Sequence, residues 1–229
     1  VTVATDRDNI TALHAHLPEA MAFDLRETER FLDNLRAADV VLIGSGLGEE
    51  ETAGRALDLV LANIRSNQNL VVDGSALNLL AQKKKSSLPE CHLILTPHQK
   101  EWERLSGIVL DHQNTETTAS ALSAFPQGTI LVEKGPATRI WQAGQHEYYQ
   151  LQVGGPYQAT GGMGDTLAGM IAGFAGQFHQ VSLYERVVVA AHLHSAIAQE
   201  LAQENYLVLP TEISKALPKT MKKISQKGS

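Results

Sequence analysis

The chain has 229 residues, of which 43% are hydrophobic and 19% are charged, a composition typical of a globular protein and unlike a disordered or fibrous one. Its formal net charge of -6 argues against nucleic acid as the main partner. No apolar run approaches the roughly 20 residues that span a bilayer, so we expect no membrane partner. The single cysteine, Cys91, excludes an internal disulfide and suits a reducing cytosol, so we predict an inert, partly buried thiol and a cytoplasmic location.

Strands and helices are predicted to alternate along the chain, because apolar residues recur first at strand spacing and then at helix spacing. The predicted strands lie at 1–5, 40–43, 70–72, 91–97, 128–141 (a strand, a turn and a strand) and 146–153. The predicted helices lie at 27–38, 49–66, 74–81, 99–107, 115–125, from about 164, at 183–204 and in a short segment after Pro210.

Short apolar strands that alternate with helices imply a parallel sheet with helices on both faces. The turn at 142–145 makes 146–153 a hairpin partner of the strand before it, so the sheet is mainly but not wholly parallel. We therefore predict an α/β fold of three layers, α/β/α, in a single domain over 1–229. The basic segment 219–229 is interpreted as a solvated, frayed end.

Glycine-rich or polar loops follow four of the predicted strands. They are "GSGLG" after Ile43, "DGS" after Val72, "TPH" after Leu95 and "EKG" after Val132. Each loop by itself is typical of an ordinary turn. Because open α/β sheets bind ligands at the carboxyl ends of their strands, the set together favours a binding site at one edge of the sheet.

The stretch "QATGGMGDTLAGMIAG", residues 158–173, places a cluster of glycines before an apolar helix pattern. Its glycines let backbone N–H groups converge at the positive end of the following helix, which predicts an anion hole. Asp165 falls in the first helical turn, where it either caps the helix or accepts a proton as a general base. The common nucleotide motifs are absent, since no lysine completes a Walker A loop and Glu49 replaces the third glycine of G-x-G-x-x-G.

Five ordered motifs, "GSGLG", "VDGSALN", "TPHQKE", "KGPAT" and "ATGGMGDTLAG", resemble those of the ADP-dependent NAD(P)H-hydrate dehydratases, a branch of the ribokinase-like superfamily. Only the GxGD element is shared with sugar and vitamin kinases, whereas its combination with TPHxxE and KGxxT is specific. The resemblance implies a ribokinase-like fold and a repair reaction on hydrated NADH or NADPH. In that reaction ADP or ATP phosphorylates the ring hydroxyl with Mg²⁺ assisting, and phosphate then leaves.

The resemblance also implies roles for individual residues. Asp165 takes the proton of the substrate hydroxyl, and the amides of Gly162, Met163 and Gly164 form the anion hole. The residues implied to bind the AMP part of the nucleotide are Lys134, Gly135, Pro136, Ala137, Thr138 and Gly164. The residues implied to contact the hydrated nicotinamide nucleotide are Gly46, His98 and Asp165.

Several of these residues have structural alternatives. Lys134 is alternatively a solvated turn lysine, and His98 is alternatively a cap for the helix that begins at Gln99. Glu101 either faces the site or pairs with Arg104 three residues on. Asp73 either coordinates magnesium through water or caps the next helix, and the metal ligands stay unassigned. His192 and His194 lie two positions apart on a helix and face different directions, so packing is favoured over a metal pair.

The chain departs from the family pattern at three places. Ser75 replaces the second acid of D-A-D, Ser45 replaces a proline, and the family's opening strand and glycine-rich segment are expected upstream of Val1. The alternative function is a ribokinase-like kinase of a vitamin precursor or a sugar, and a third is a nucleotide-binding sensor without chemistry. The apolar stripes of the long helices leave a homo-oligomer open.

Overall fold

The computed structural model describes residues 1–227, in which helices and strands alternate. The strands are β1 (Thr2–Thr5), β2 (Met21–Asp24), β3 (Val40–Ile43), β4 (Asn69–Val72), β5 (His92–Leu95), β6 (Ile130–Glu133), β7 (Arg139–Gln142) and β8 (Tyr148–Gln150). The α-helices are α1 (Arg7–His16), α2 (Thr28–Ala37), α3 (Glu51–Asn63), α4 (Gly74–Ala81), α5 (Gln99–Ser106), α6 (Thr115–Leu122), α7 (Met163–Ala175), α8 (Leu183–Leu201) and α9 (Pro210–Lys227).

The strands form two sheets. The larger sheet has the order β3-β4-β5-β6-β7-β8, in which β3 to β6 are parallel and the last two strands run antiparallel to their neighbours. β1 and β2 pair in parallel as a separate two-stranded sheet. The prediction of a mainly parallel sheet ending in a hairpin is therefore confirmed.

Two apolar cores lie on opposite faces of the larger sheet. On β5, Ile94 packs in the core formed with α7, α8 and α9, whereas its neighbours Leu93 and Leu95 pack in the core formed with α2 to α6. This alternation follows from the period of two in a strand, whose successive side chains point to opposite faces. Because both faces are buried, the sheet is the middle of three layers, as predicted.

The sequence analysis missed one helix and one strand near the beginning of the chain. No residue of α1 is buried, so the helix has no apolar stripe that a periodicity search would find. The available signal was Asp6, whose side chain accepts a hydrogen bond from the Asp8 N–H as an N-cap. β2 is short, and Phe23 is its one buried residue.

The basic end is solvated as predicted, since residues 222–226 are exposed, but the prediction that it is frayed is wrong. α9 continues through Pro218 to Lys227, because Ile213, Leu217 and Met221 recur every four residues and pack on the core beside α8. Residues 228 and 229, the last of the predicted domain, lie outside the described residues, and the single-domain assignment stays a prediction. None of the helices in the described part of the chain is both long and apolar enough to cross a bilayer.

Candidate active site

The carboxyl ends of β3 to β6 bring together five side chains, which we call the strand-end cluster: Ser45, Asp73, Thr96, Glu101 and Lys134. Asp73 lies at its centre and is only 2% exposed. Its Oδ1 accepts hydrogen bonds from the Lys134 ammonium at 2.7 Å and from the Thr96 hydroxyl at 2.6 Å, and Ser45 Oγ lies 3.4 Å from Oδ2. Lys134 Nζ is also 3.9 Å from Glu101 Oε2. The predicted convergence of the strand-end loops is therefore seen as direct contact.

Close backbone packing holds the loops after β3 and β4 together. Gly44 has φ = 124°, and a Cβ atom there would lie 1.7 Å from the carbonyl oxygen of Asp73. Only glycine fits this position, since any side chain would overlap the neighbouring backbone. Ser75, which replaces the family's second acid, donates its hydroxyl to the Gly44 carbonyl at 3.0 Å. The replacement therefore supports the loop that carries Gly46.

His98 is the N-cap of α5. Its Nδ1 accepts hydrogen bonds from the N–H groups of Lys100 and Glu101, at 3.1 and 3.2 Å, and Glu101 Oε2 in turn accepts the His98 N–H at 2.8 Å. This reciprocal capping box confirms the structural alternative for His98. Because Nδ1 is an acceptor, the neutral ring carries its proton on Nε2, and the side chain remains 53% exposed beside the site.

The structure decides between the alternatives stated for Glu101, Lys134 and Asp73. Arg104 donates to Asn78 at 2.8 Å, so of the two alternatives the pair with Glu101 does not form and Glu101 faces the strand-end cluster. Lys134 is not a solvated turn lysine, since its side chain is 19% exposed and pairs with Asp73. The Asp73 side chain makes no capping hydrogen bond to α4, which removes that alternative too.

The first turn of α7 follows the glycine stretch and lies open beside the cluster. Gly162 is the N-cap and has φ = 81°, a left-handed conformation that explains a glycine at this position. A Cβ atom at Gly164 would lie 3.3 Å from Lys134 Nζ, so the ammonium adjoins this turn. Asp165 is exposed and is not the N-cap, and within residues 1–227 its carboxylate has no ion pair or hydrogen bond. An unpaired carboxylate at a helix start is available to accept a proton.

The turn between β6 and β7 forms one wall of a cleft of about 280 Å³. Gly135, Pro136 and Ala137 are exposed on that wall, and the lining also includes Gln99, Arg139 and Gln150. The Lys134 N–H donates to the Pro97 carbonyl at 2.8 Å, which ties this turn to the loop of His98. The predicted nucleotide-binding and substrate-binding segments are therefore neighbours.

His194 of α8 lies behind the glycine stretch. His194 is 3% exposed, and its Nδ1 lies 3.5 Å from the Gln158 side-chain nitrogen in the loop before α7. Burial lowers the pKa of His194 to about 4, an effect partly opposed by a hydrogen bond to the Met163 backbone. His192 and His194 belong to no metal-binding group among the described residues, and the burial of His194 agrees with the predicted packing role.

Sequence reasoning missed the part played by Thr96. Its hydroxyl is fully buried and donates to Asp73, although the "TPH" motif singled out its neighbour His98. Glu133, in the "EKG" loop, is bound by Arg139 at 2.9 Å and by the Trp141 indole at 3.1 Å, so it supports the sheet. Burial raises the pKa of the Cys91 thiol to about 11, which agrees with an inert cysteine.

Comparison with known proteins gives consistent matches. Residues 1–219 match the family described as NAD(P)H-hydrate dehydratase. An ADP-dependent (S)-NAD(P)H-hydrate dehydratase of Streptococcus thermophilus is 71% identical over 98% of the chain and 80% of its own length. A ribokinase-like superfamily structure from Enterococcus faecalis is 42% identical, with a TM-score of 0.89 over 97% of this chain and 76% of that one. The ADP/ATP-dependent NAD(P)H-hydrate dehydratase of Bacillus subtilis, co-crystallised with ATP/Mg²⁺, is 27% identical, with a TM-score of 0.81 over 97% and 78% of the two chains.

Proposed function

The chain belongs to the NAD(P)H-hydrate dehydratase family, and we propose that it uses ADP to dehydrate hydrated NADH and NADPH and so restores the reduced cofactors. The observation that carries the proposal is the unpaired Asp165 carboxylate on a helix turn that the Lys134 ammonium adjoins. This arrangement suits phosphoryl transfer, which depends on positioning and on charge stabilisation more than on covalent groups. It makes the enzyme a hydro-lyase of the ribokinase-like fold.

The reaction has two steps. In the first, the ring hydroxyl oxygen attacks the terminal phosphorus of ADP, and the P–O bond to AMP breaks with its electron pair left on AMP. Asp165 accepts the hydroxyl proton. In the second step the ring carbon–oxygen bond breaks, phosphate leaves with the electron pair, and a proton lost from the adjacent ring carbon restores the double bond. The backbone amides at Gly162, Met163 and Gly164 stabilise the transferred phosphoryl group.

The ligand-binding assignments rest on the family motifs and are supported by the proximity of the segments that carry them. The segment 134–138 and Gly164 border the AMP part of the nucleotide, and the cleft beside Gly135 and Pro136 offers room for it. Gly46 and His98 contact the hydrated nicotinamide nucleotide from the loops after β3 and β5. His98 can do so while it caps α5, because its ring is 53% exposed; its Nε2 also lies 3.4 Å from Glu101 Oε1.

Magnesium fits the site as a companion of the nucleotide. Among residues 1–227 there is no group of three or more His, Cys, Asp or Glu that could hold a metal. Mg²⁺ is commonly held by one or two carboxylates together with substrate phosphates, and Asp73 and Glu101 offer two such groups beside Lys134. When bound, the ion would offset negative charge on the phosphate oxygens.

The comparisons favour the dehydratase over the small-molecule kinase. The Streptococcus thermophilus relative is named as ADP-dependent, which supports ADP as the donor, whereas the Bacillus subtilis neighbour is named for both ADP and ATP. The preference between hydrated NADH and NADPH, the cytoplasmic location and the homo-oligomer stay predictions.

The direct test is the recovery of absorbance at the reduced-nicotinamide band. The full-length chain is mixed with hydrated NADH, Mg²⁺ and either ADP or ATP. We expect recovery with ADP, together with release of AMP and phosphate in equal amounts. A phosphorylated alcohol formed from ATP without recovery of absorbance would support the kinase instead. Nucleotide binding without turnover of either kind would support the sensor.

A further inference from the structure

The side chain of Lys134 leaves the turn to which its backbone belongs. Its N–H is bonded to the Pro97 carbonyl, and residues 135–137 continue outward as an exposed turn beside the cleft. The ammonium extends the other way, to Asp73 at 2.7 Å and toward Glu101 at 3.9 Å. The backbone of this segment and its one positive charge therefore serve two different places.

The place that the ammonium serves is the first turn of α7. A Cβ atom at Gly164 would lie 3.3 Å from Lys134 Nζ, so the ammonium lies directly beside the backbone of this turn. The first N–H groups of a helix have no partner within the helix, and Gly162 has no side chain to cap them; the Met163 N–H is directed to the Thr160 carbonyl at 3.4 Å. The Lys134 ammonium and these amides together would surround a small anion, whereas the base and sugar of a nucleotide need neither.

The charges of the neighbouring carboxylates also favour a phosphoryl group as the anion that Lys134 contacts. Asp73 and Glu101 are 2% and 6% exposed, and the unpaired Asp165 lies on the adjacent helix turn. Carboxylates so placed repel a phosphoryl group unless a cation stands between them. Within residues 1–227, no Lys or Arg other than Lys134 forms an ion pair with Asp73 or Glu101.

We propose that the Lys134 ammonium contacts the phosphoryl group that is transferred, and not the AMP portion of the nucleotide, while Asp73 holds the ammonium in position. The inference rests on the proposed function and assigns one more charged group to its first step. The terminal P–O bond of ADP breaks as described above, with the hydroxyl proton going to Asp165. Lys134 keeps its proton throughout and offsets the negative charge on the phosphoryl oxygens.

The test compares two ligands that differ only by the terminal phosphoryl group. Calorimetric titrations with ADP and with AMP, both with Mg²⁺, are made on the full-length wild type and on Lys134→Met, which keeps the length of the side chain and removes its charge. We expect ADP affinity to fall about 10- to 100-fold, the range of a charged hydrogen bond, and AMP affinity to change less than about 3-fold. Lys83→Met is the matched control, since Lys83 also pairs with an aspartate, Asp58, outside the site.

Other results overturn the inference. If AMP affinity and ADP affinity fell equally in Lys134→Met, the ammonium would contact the AMP portion. If both affinities and kcat were unchanged, Lys134 would serve only as the ion-pair partner of Asp73. If Lys134→Met does not fold, the double variant Asp73→Asn/Lys134→Met removes the unpaired carboxylate, and the same selective loss of ADP affinity is expected from it. A wild type that binds neither nucleotide would refute the proposed function itself, whereas an active wild type with equal losses in the variant refutes only this inference.

Discussion

The two sides of the site are built in opposite ways. On the strand-end cluster, Asp73 is 2% exposed and is bound by Lys134 and Thr96 at 2.7 Å or less. On the first turn of α7, Asp165 is exposed and has no partner among the described residues. One carboxylate is therefore fixed by its neighbours, and the other is free to take up a proton.

This difference separates the charges that position a ligand from the group that reacts. A carboxylate bound by an ammonium and a hydroxyl cannot easily reorient. A general base needs the reverse, since it must accept a proton in the transition state. We therefore assign positioning to Asp73 and chemistry to Asp165, and substitutions on the two sides should differ in what they change.

The largest expected effect is on turnover, at Asp165. Asp165→Asn should lower kcat about 10²- to 10⁴-fold, the usual contribution of a general base, while the free energy of unfolding stays within about 0.5 kcal/mol. Stability is spared because the carboxylate has no partner to lose. The measurements are absorbance recovery at saturating ADP and urea unfolding of the same preparations. Near-normal kcat would reduce Asp165 to a structural residue of the helix turn.

Substitutions in the strand-end cluster should instead change the free energy of unfolding. Lys134→Met leaves the buried Asp73 carboxylate without its cation, so unfolding should become easier by about 3 kcal/mol, toward the low end for a buried pair because Lys134 is 19% exposed. Asp73→Asn/Lys134→Met should recover most of this loss in denaturant unfolding. Lys83→Met should cost less than about 1 kcal/mol, since its partner Asp58 is 62% exposed. If Lys134→Met and Lys83→Met lowered the free energy of unfolding equally, the proposed difference between the buried and the exposed ion pair would be contradicted.

The sequence was sufficient to predict the larger sheet. Runs such as Leu70–Val72 are apolar and closed by a polar turn, and β4 is buried along its whole length. The run Val40–Ile43 also forms a strand, but only Ile43 is buried there, because β3 lies at the edge of the sheet. α1 was missed for the opposite reason, since its face toward the protein buries no residue. A local sequence pattern therefore predicts an element well where the element is buried, because a buried face requires apolar residues at regular spacing.

The meeting of the loops was also predictable, but their contacts were not. The carboxyl ends of parallel strands must share an edge, which brings Asp73 and Lys134 to the same place. Lys134 turns toward Asp73, which lies 61 residues before it in the sequence. Glu101 accepts the N–H of His98, three residues before it, and does not pair with Arg104. Both contacts depend on side-chain directions that sequence spacing does not determine. The sequence allowed Glu101 either to face the site or to pair with Arg104, and only the packed structure selects between these.

A change of similar size, spread over a range of pH, concerns His194 behind the first turn of α7. Its pKa is near 4 in the folded protein and near the ordinary value of 6.5 in the unfolded chain, because burial disfavours the charged ring. Below pH 6.5 the unfolded chain binds a proton that the folded protein refuses, so stability falls as the pH drops from about 6.5 to 4, by about 3 kcal/mol in all.

The check is urea unfolding from pH 7 to pH 4 on the wild type and on His194→Gln. The variant should lose this part of the pH dependence, and His146→Gln, at an exposed position, should keep it. Identical slopes for the wild type and His194→Gln would mean that His194 is as accessible to protons in the folded protein as in the unfolded chain.

The smallest effect separates two adjacent glycines on the open side. Gly162 has φ = 81°, and its nearest outside neighbour to a Cβ atom would be Pro210 Cγ at 3.5 Å, an ordinary contact. Gly162→Ala should therefore lower the free energy of unfolding by about 1–2 kcal/mol through backbone strain alone. Gly161 has neither a positive φ nor any atom within 4 Å of a Cβ position, so Gly161→Ala should stay within about 0.5 kcal/mol of the wild type. If Gly161→Ala nevertheless lowers kcat, the missing side chain at Gly161 serves the approach of the phosphoryl group, and the two glycines are needed for different reasons.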